Sequence, residues 1–387
     1  MKRTYLDFAA AAPVLPEARR AFLRALASYG NPSSFHEEGR KAREILEGAR
    51  RHIARIIGVE AHSVLFTSGA TEGNALAIEG HFRARIASGE RPETLRMLYL
   101  PGAHASLMGA VARVAALGVS TKPLVLAGSA LNFDLLKEEL REGVALIAVE
   151  AVSAETGVRF DTRGIRRAID TVGAPGKTFL HVDGSQLPLI ESCVRTRLGA
   201  DLLTLDAQKV GGIRGVGVLI RQRGTPLSPL VLGGGQEEGM RPGTPSPALA
   251  CAFAVALTTA SETHERFFAR ATHLRAKFLA RILPIENLMV NEGEKQAPHI
   301  VNVSLLSCDT DYLLALLDAR GFAVSTKSAC ESDSAEGSRA VLAQMGDAAR
   351  ARSTLRISWG RETAEADLIR FADALIHSVS FMNRTSV

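Results

Sequence analysis

TFLHVDGSQLPLIESCVRTRLGADLLTLDAQKVGG, Thr178 to Gly212, holds two short apolar runs that each end on a carboxylate. TFLHVD ends at Asp183 and runs into Gly184, Ser185 and Gln186. LLTLD ends at Asp206 and runs into Ala207, Gln208 and Lys209. Apolar runs of this length, bounded by turn residues, read as buried strands.

The same texture extends on both sides. VLFTSG (64–69), MLYL (97–100), ALIAVEAV (145–152) and GVGVLIR (215–221) predict further strands. Between them lie helical patterns at 40–57, 72–87, 106–117 and 165–172. The first of these puts Ile45, Leu46, Ala49, Ile53, Ile56 and Ile57 on one face and stops at Gly58. Continuous apolar strands alternating with helices predict an α/β fold with a mostly parallel sheet covered on both faces. In such sheets ligands bind beyond the carboxyl ends of the strands. Five strand ends then carry polar or small residues that can converge: Ser68–Thr71, Ala103–His104, Ala154–Glu155, Asp183–Gln186 and Asp206–Lys209.

After residue 222 a long Gly/Pro-rich stretch, TPLSPLVLGGGQEEGMRPGTPSP, interrupts the alternation. Loops of such length are often functional. A long helical pattern from Pro247, HIVNVSLL, a helix at 312–317, AVSTKSAC, LRISWG and a last helix from Glu362 follow. The chain is therefore expected to divide into a large α/β domain, 16–246, and a smaller α+β domain built from 1–15 and 247–387.

Composition narrows the function. The 387 residues are 46% apolar and 22% charged, as in ordinary globular proteins, which excludes a wholly disordered chain. Lys and Arg number 46 against 41 Asp and Glu, a net +5 with no basic stripe, so no nucleic-acid partner is expected. The longest apolar run, Ala248–Leu257, is half of the ~20 residues a membrane span needs, so no membrane partner is expected either. The opening MKRTYLDF has no apolar core of a secretory signal. Cys193, Cys251, Cys308 and Cys330 lie far apart, with no metal-ligand spacing. That usage fits a reducing cytoplasm.

The strand ends carry a chemistry. A lysine after one strand is more often a surface residue, but Lys209 with an aspartate ending another strand (Asp183) matches the pair by which pyridoxal 5'-phosphate (PLP) can be bound, one by a Schiff base and one at the pyridine nitrogen. SGATEGNA (68–75) lies at a strand-to-helix turn, where backbone N–H groups and the Thr71 hydroxyl can take a phosphate. His104 can stack on a cofactor ring.

With these motifs in order, the chain resembles the cysteine desulfurases, fold-type I PLP enzymes of the class-V aminotransferase superfamily. YLDFAAAAP (5–13) resembles the family's YLDNAATTP, and NPSSFH (31–36) its NPSS-x-H. SGATEGNA resembles SGATE-x-NN, Ala103–His104 the EH pair, and AVSAETGV (151–158) the NNEIG segment. HVDGSQ (181–186) resembles HVDA-x-Q, DAQKVGG (206–212) the S-x-HK segment, and GGGQEEGMRPGT (233–244) GGGQE-x-GxRxGT. STKSAC (325–330) resembles SSGSAC, and LRISWGRET (355–363) the IRFSLGR segment.

The resemblance implies a role for each matched residue. Lys209 would bond the cofactor, Asp183 would pair with the ring nitrogen, Gln186 would hydrogen-bond the phenolic oxygen, and His104 would stack on the ring and move protons. Ala70, Thr71 and Gln208 would serve the phosphate end, and Thr244 the phosphate of a neighbouring subunit. Arg356 would clamp the substrate carboxylate with its bidentate fork, Asn31 would assist at the substrate, and Cys330 would receive the sulfur. The implied activity converts L-cysteine to L-alanine and a Cys330 persulfide. The expected partners are a second copy of the chain and a sulfur acceptor, such as an iron–sulfur scaffold or a thiolation enzyme.

Departures from the family pattern are expected to weaken cofactor retention. Asp206 stands for a serine, Gln208 for a histidine, Ala154 for an asparagine, Phe160 for a glutamine, Phe8 for an asparagine and Ala103 for an acid. An ionised carboxylate beside a phosphate is repulsive, so Asp206 is expected to be protonated or turned away. Two alternatives stay open: a related lyase or transaminase, such as selenocysteine lyase, and a non-catalytic scaffold that binds sulfur-carrier partners.

Overall fold

The computed structural model describes residues 3–172, 178–306, 308–326 and 337–385. Its strands are β1 (Thr4–Tyr5), β2 (Val64–Thr67), β3 (Arg96–Tyr99), β4 (Ser120–Pro123), β5 (Leu126–Ala127), β6 (Ala130–Leu131), β7 (Leu146–Glu150), β8 (Phe179–Asp183), β9 (Leu202–Asp206), β10 (Gly217–Arg221), β11 (Leu288–Val290), β12 (Ile300–Leu305), β13 (Phe322–Ala323) and β14 (Thr354–Ser358).

A seven-stranded sheet in the order β2-β10-β9-β8-β7-β3-β4 forms the centre. From β9 to β4 every pair is parallel. β10 runs antiparallel to both its neighbours. The link from Asp206 to Gly217 explains the reversal: it is too short for the crossover of a dozen or more residues that a parallel return requires. β7 and β9 are buried at every position, as expected for strands covered on both faces.

The helix Ala70–Ala87 follows β2 and lies close on the sheet. A Cβ added to Gly73 would meet Thr204 Cγ2 of β9 at 2.7 Å, so only glycine permits this approach. The helix Glu37–Ile57 begins where the His36 ring accepts the Gly39 N–H, and ends on Gly58 at φ 73°.

A second core gathers Leu6, Phe278, Ile282, Val301, Leu313, Ile357, Trp359 and Phe371. It packs the antiparallel sheet β11-β12-β14 and the short parallel pair β1-β13. The 36-residue helix Pro247–Ile282 joins the two cores. Its residues up to Ala271 belong to the large core and those from Leu274 onward to the small one. By packing, then, the division falls inside this helix, while the sequence reading put it at residue 246. Among the described residues, no helix is long and apolar enough to cross a membrane.

β4 and the helix Phe133–Arg141 have no counterpart in the sequence reading. β4 is an edge strand, STKP, exposed at most of its positions, so it carries no apolar alternation to betray it.

Candidate functional site

Five strand ends meet at one cavity. Ala70 and Thr71 reach it from the end of β2, His104 from β3, Glu150 and Ala154 from β7, Asp183 and Gln186 from β8, and Asp206, Gln208 and Lys209 from β9. Ala9 and Ala10 close it from the N-terminal segment, and Arg356 from β14.

Lys209 ends a single helical turn, Ala207–Lys209, which Asp206 caps by accepting the Gln208 N–H at 3.0 Å. The Lys209 Nζ donates to the carbonyls of Ala9 at 2.9 Å and Ala10 at 2.8 Å. Burial pushes its pKa down from the ordinary 10.5, against the pull of Asp206, Asp183 and Asp7. A lowered ammonium pKa favours the free amine that attacks an aldehyde.

Asp183 is held by two donors. Its Oδ1 accepts the Ser185 N–H at 2.9 Å, and its Oδ2 accepts Asn74 Nδ2 at 2.7 Å. Asn74 comes from the helix Ala70–Ala87 and also reaches Ser106 Oγ at 2.9 Å. Gln186 Nε2 donates to the Ala9 carbonyl at 2.8 Å.

His104 caps the helix Ala105–Ala116. Its Nδ1 accepts the Ser106 N–H at 3.2 Å, which leaves the ring proton on Nε2. Burial lowers its pKa, opposed by Asp183. The Arg356 guanidinium donates from Nη2 to Asp7 Oδ1 at 2.7 Å and from Nη1 to the Ala154 carbonyl at 3.0 Å. Its Nε is buried without a partner among the described residues, as is the Ser185 hydroxyl on the cavity wall.

The cavity thus brings together Ala70, Thr71, His104, Asp183, Gln186, Gln208, Lys209 and Arg356 of the residues picked from sequence. It does not bring in two others. Asn31 is exposed and spends its Oδ1 on the Ser33 N–H at 2.9 Å, and Thr244 is exposed in its loop. Cys330 lies outside the described residues. Phe8 and Phe160 are buried and do not line the cavity; the Phe8 ring packs on Gly360, where an added Cβ would collide with its Cε1.

Three contributors escaped the sequence reading. Asp7 and Asn74 sit inside quoted motifs but carried no assigned role. Glu150 ends β7 in register with Asp183, and its Oε2 accepts the His104 N–H at 3.3 Å. Burial, then the Asp183 charge, pushes its pKa up to about 8. A lone carboxylate within the apolar run LIAVE was the signal that could have found it.

The residues fit PLP at the ring end. An amine, a doubly supported carboxylate and an amide converge there, and the partnerless Arg356 Nε and Ser185 Oγ await a polar ligand. At the phosphate end the helix N-terminus is present, but Asp206 Oδ2 already accepts the Ala70 N–H at 3.0 Å. The side chain is buried and faces the turn; it is not turned away.

The family model for aminotransferase class-V matches residues 4–371. A protein named cysteine desulfurase IscS 1 from Archaeoglobus fulgidus is 32% identical over 377 residues, covering 96% of this chain and 95% of its own. An IscS-like cysteine desulfurase from Mycobacterium tuberculosis is 32% identical over 395 residues, covering 99% and 98%. Among solved structures, a NifS-like protein superposes with a TM-score of 0.89 at 25% identity, covering 98% of this chain and 100% of its own. A structure described as SspA in complex with cysteine gives 0.77 at 26% identity, covering 92% and 98%.

Proposed function

We propose how this chain, which belongs to the class-V aminotransferase family and is a PLP-dependent cysteine desulfurase, divides its reaction among its own residues. The convergence of Lys209, Asp183 and Arg356 on one cavity carries the reading. When bound, PLP supplies an electron sink for the bonds at the Cα of the amino acid.

Lys209 holds the cofactor and afterwards moves the Cα proton, a task its burial suits by favouring the free amine. Asp183, fixed by Ser185 and Asn74, keeps the proton on the ring nitrogen. Gln186 would serve the phenolic oxygen and His104 would stack on the ring, both from the cavity wall. Arg356, on the cavity wall, takes the L-cysteine carboxylate: its Nε has no partner among the described residues, and its Nη1 and Nη2, held by the Ala154 carbonyl and Asp7, would exchange those contacts for the substrate. The Cys330 thiolate takes the substrate sulfur; the Cβ–S bond breaks as the S–S bond forms, leaving L-alanine and a Cys330 persulfide. The solved relative described as complexed with cysteine supports this substrate.

The same reading makes the chain a homodimer. Val231 and Leu232 stand exposed in the long loop before Thr244, and Thr244 lies away from its own cavity, as a residue serving a neighbour would. The persulfide passes to an acceptor protein for iron–sulfur assembly or thiolation, in a cytoplasm that keeps the thiols reduced. The test is release of alanine and sulfide from L-cysteine with added PLP and reductant. A protein that binds PLP and releases neither would overturn the reading.

A further inference from the structure

The phosphate end of the cavity is already furnished with a carboxylate. Asp206 Oδ2 accepts the Ala70 N–H at 3.0 Å, its Oδ1 accepts the Gln208 N–H at 3.0 Å, and Gln208 Nε2 lies 3.4 Å from Oδ2. Ala70 opens an 18-residue helix, whose N–H groups and dipole form the natural seat of an anion. Two residues earlier, the Ser68 N–H goes to Glu72 Oε2 at 2.6 Å, and Arg241 Nε in turn holds Glu72 at 2.9 Å.

Asp206 therefore takes the first N–H of the helix turn that an external phosphate in the cavity would use, and Glu72 takes the Ser68 N–H just before it. The cations of the cavity are engaged elsewhere, Lys209 on the Ala9 and Ala10 carbonyls and Arg356 on Asp7 and Ala154. The carboxylate of Asp206 is buried against Gly69, where an added Cβ would meet its Oδ2 at 3.3 Å, so solvent does not dilute its charge.

We propose that Asp206 is a built-in occupant of the phosphate seat, and that this chain takes unphosphorylated pyridoxal about as well as PLP. The chemistry favours this exchange. The hydroxymethyl group of pyridoxal carries an O–H that can donate to the Asp206 carboxylate. A phosphate dianion has no hydrogen to give there and meets a like charge. The proposal rests on the reading of Lys209 and Asp183 as the ring end of the site.

The experiment titrates the cofactor-free protein with pyridoxal and with PLP, following the visible band of the lysine-bound ring, in the wild type, Asp206→Asn and Asp206→Ser. Inorganic phosphate is added separately, and thermal unfolding is followed. In the wild type the two dissociation constants should agree within about tenfold. Asp206→Ser should tighten PLP by about tenfold or more, leave pyridoxal no tighter, and gain a phosphate-dependent rise in Tm that the wild type lacks. Asp206→Asn keeps the shape of the side chain without its charge and should shift the preference in the same direction. A wild type that prefers PLP by more than about tenfold, with a ratio unmoved in both variants, would overturn the proposal. No visible band with either compound in any of the three proteins would overturn the ring-end reading, and the proposal with it.

Discussion

Asp7 and Arg356 form an ion pair at 2.7 Å across 349 residues of sequence. Asp7 follows β1 and pairs with Ser358 at the end of β14, so the N-terminal segment and the β11-β12-β14 sheet meet where the substrate carboxylate would bind. The Arg356 side chain is 2% exposed. Removing one partner of a buried pair leaves an uncompensated charge, so Asp7→Ala should lower stability by about 3 kcal/mol in denaturant unfolding. Arg356→Lys keeps the charge and loses the fork. It should raise KM for L-cysteine by roughly 10–100-fold, which steady-state kinetics would measure.

Glu150 makes stability depend on pH. Its carboxyl keeps a proton in the folded chain up to about 8, whereas the unfolded chain releases it near 4.5. Between those values the folded state binds the extra proton, so stability falls as pH rises and the full penalty is present above pH 8. The span corresponds to about 3–5 kcal/mol. Glu150→Gln should therefore stabilise the cofactor-free protein at pH 9 by a few kcal/mol and change it little at pH 4.5. Thermal unfolding at both pH values checks the sign; identical profiles for the two proteins would refute it.

Lys209→Ala should abolish the visible band of the bound cofactor and leave the fold intact. The ammonium contributes two hydrogen bonds, both to carbonyls on the cavity wall that water can replace. Absorption and circular dichroism together make the test. A variant with an unchanged cofactor spectrum would remove Lys209 from its role.

The strand ends were legible because strongly apolar strands announce themselves. TFLHVD, LLTLD and ALIAVEAV each locate a buried strand to within two residues, and the residues that follow them reach the cavity. What stayed hidden was set by tertiary packing. β4 has no apolar face to display. The helix Pro247–Ile282 reads as one element, and nothing in its pattern says that it serves two cores. The Asp206 side chain faces the cavity because the local Gln208 N–H and the distant Ala70 N–H hold it there, and the second contact joins segments 136 residues apart that no spacing rule connects.

Assembly tests the long loop. Val231 and Leu232 are 67% and 88% exposed, an apolar pair that a lone chain would leave in water. On the proposed homodimer, Leu232→Glu should shift the protein toward monomer in light scattering and lower activity with it, because Thr244 of each chain is proposed to reach its neighbour. A wild type that is monodisperse as a monomer and fully active at low concentration would contradict the composite site.

The last expectation concerns which cysteine carries sulfur. Burial pushes the Cys193 thiol up to about 12. The Cys251 thiol is raised by burial, and the Cys308 thiol by burial and then by Asp309. The thiolate is the nucleophile, so all three are poor acceptors at neutral pH. Cys330 lies in STKSACESDSAEGS, a stretch almost free of large apolar side chains. A sulfur carrier must collect its cargo at one place and surrender it at another. Cys330→Ala should abolish persulfide formation and alanine release under turnover, while the visible band of the bound cofactor and its change on adding L-cysteine persist. Mass spectrometry after a single turnover locates the extra sulfur atom. Finding it on Cys193, Cys251 or Cys308, with Cys330→Ala still fully active, would transfer the role to that residue.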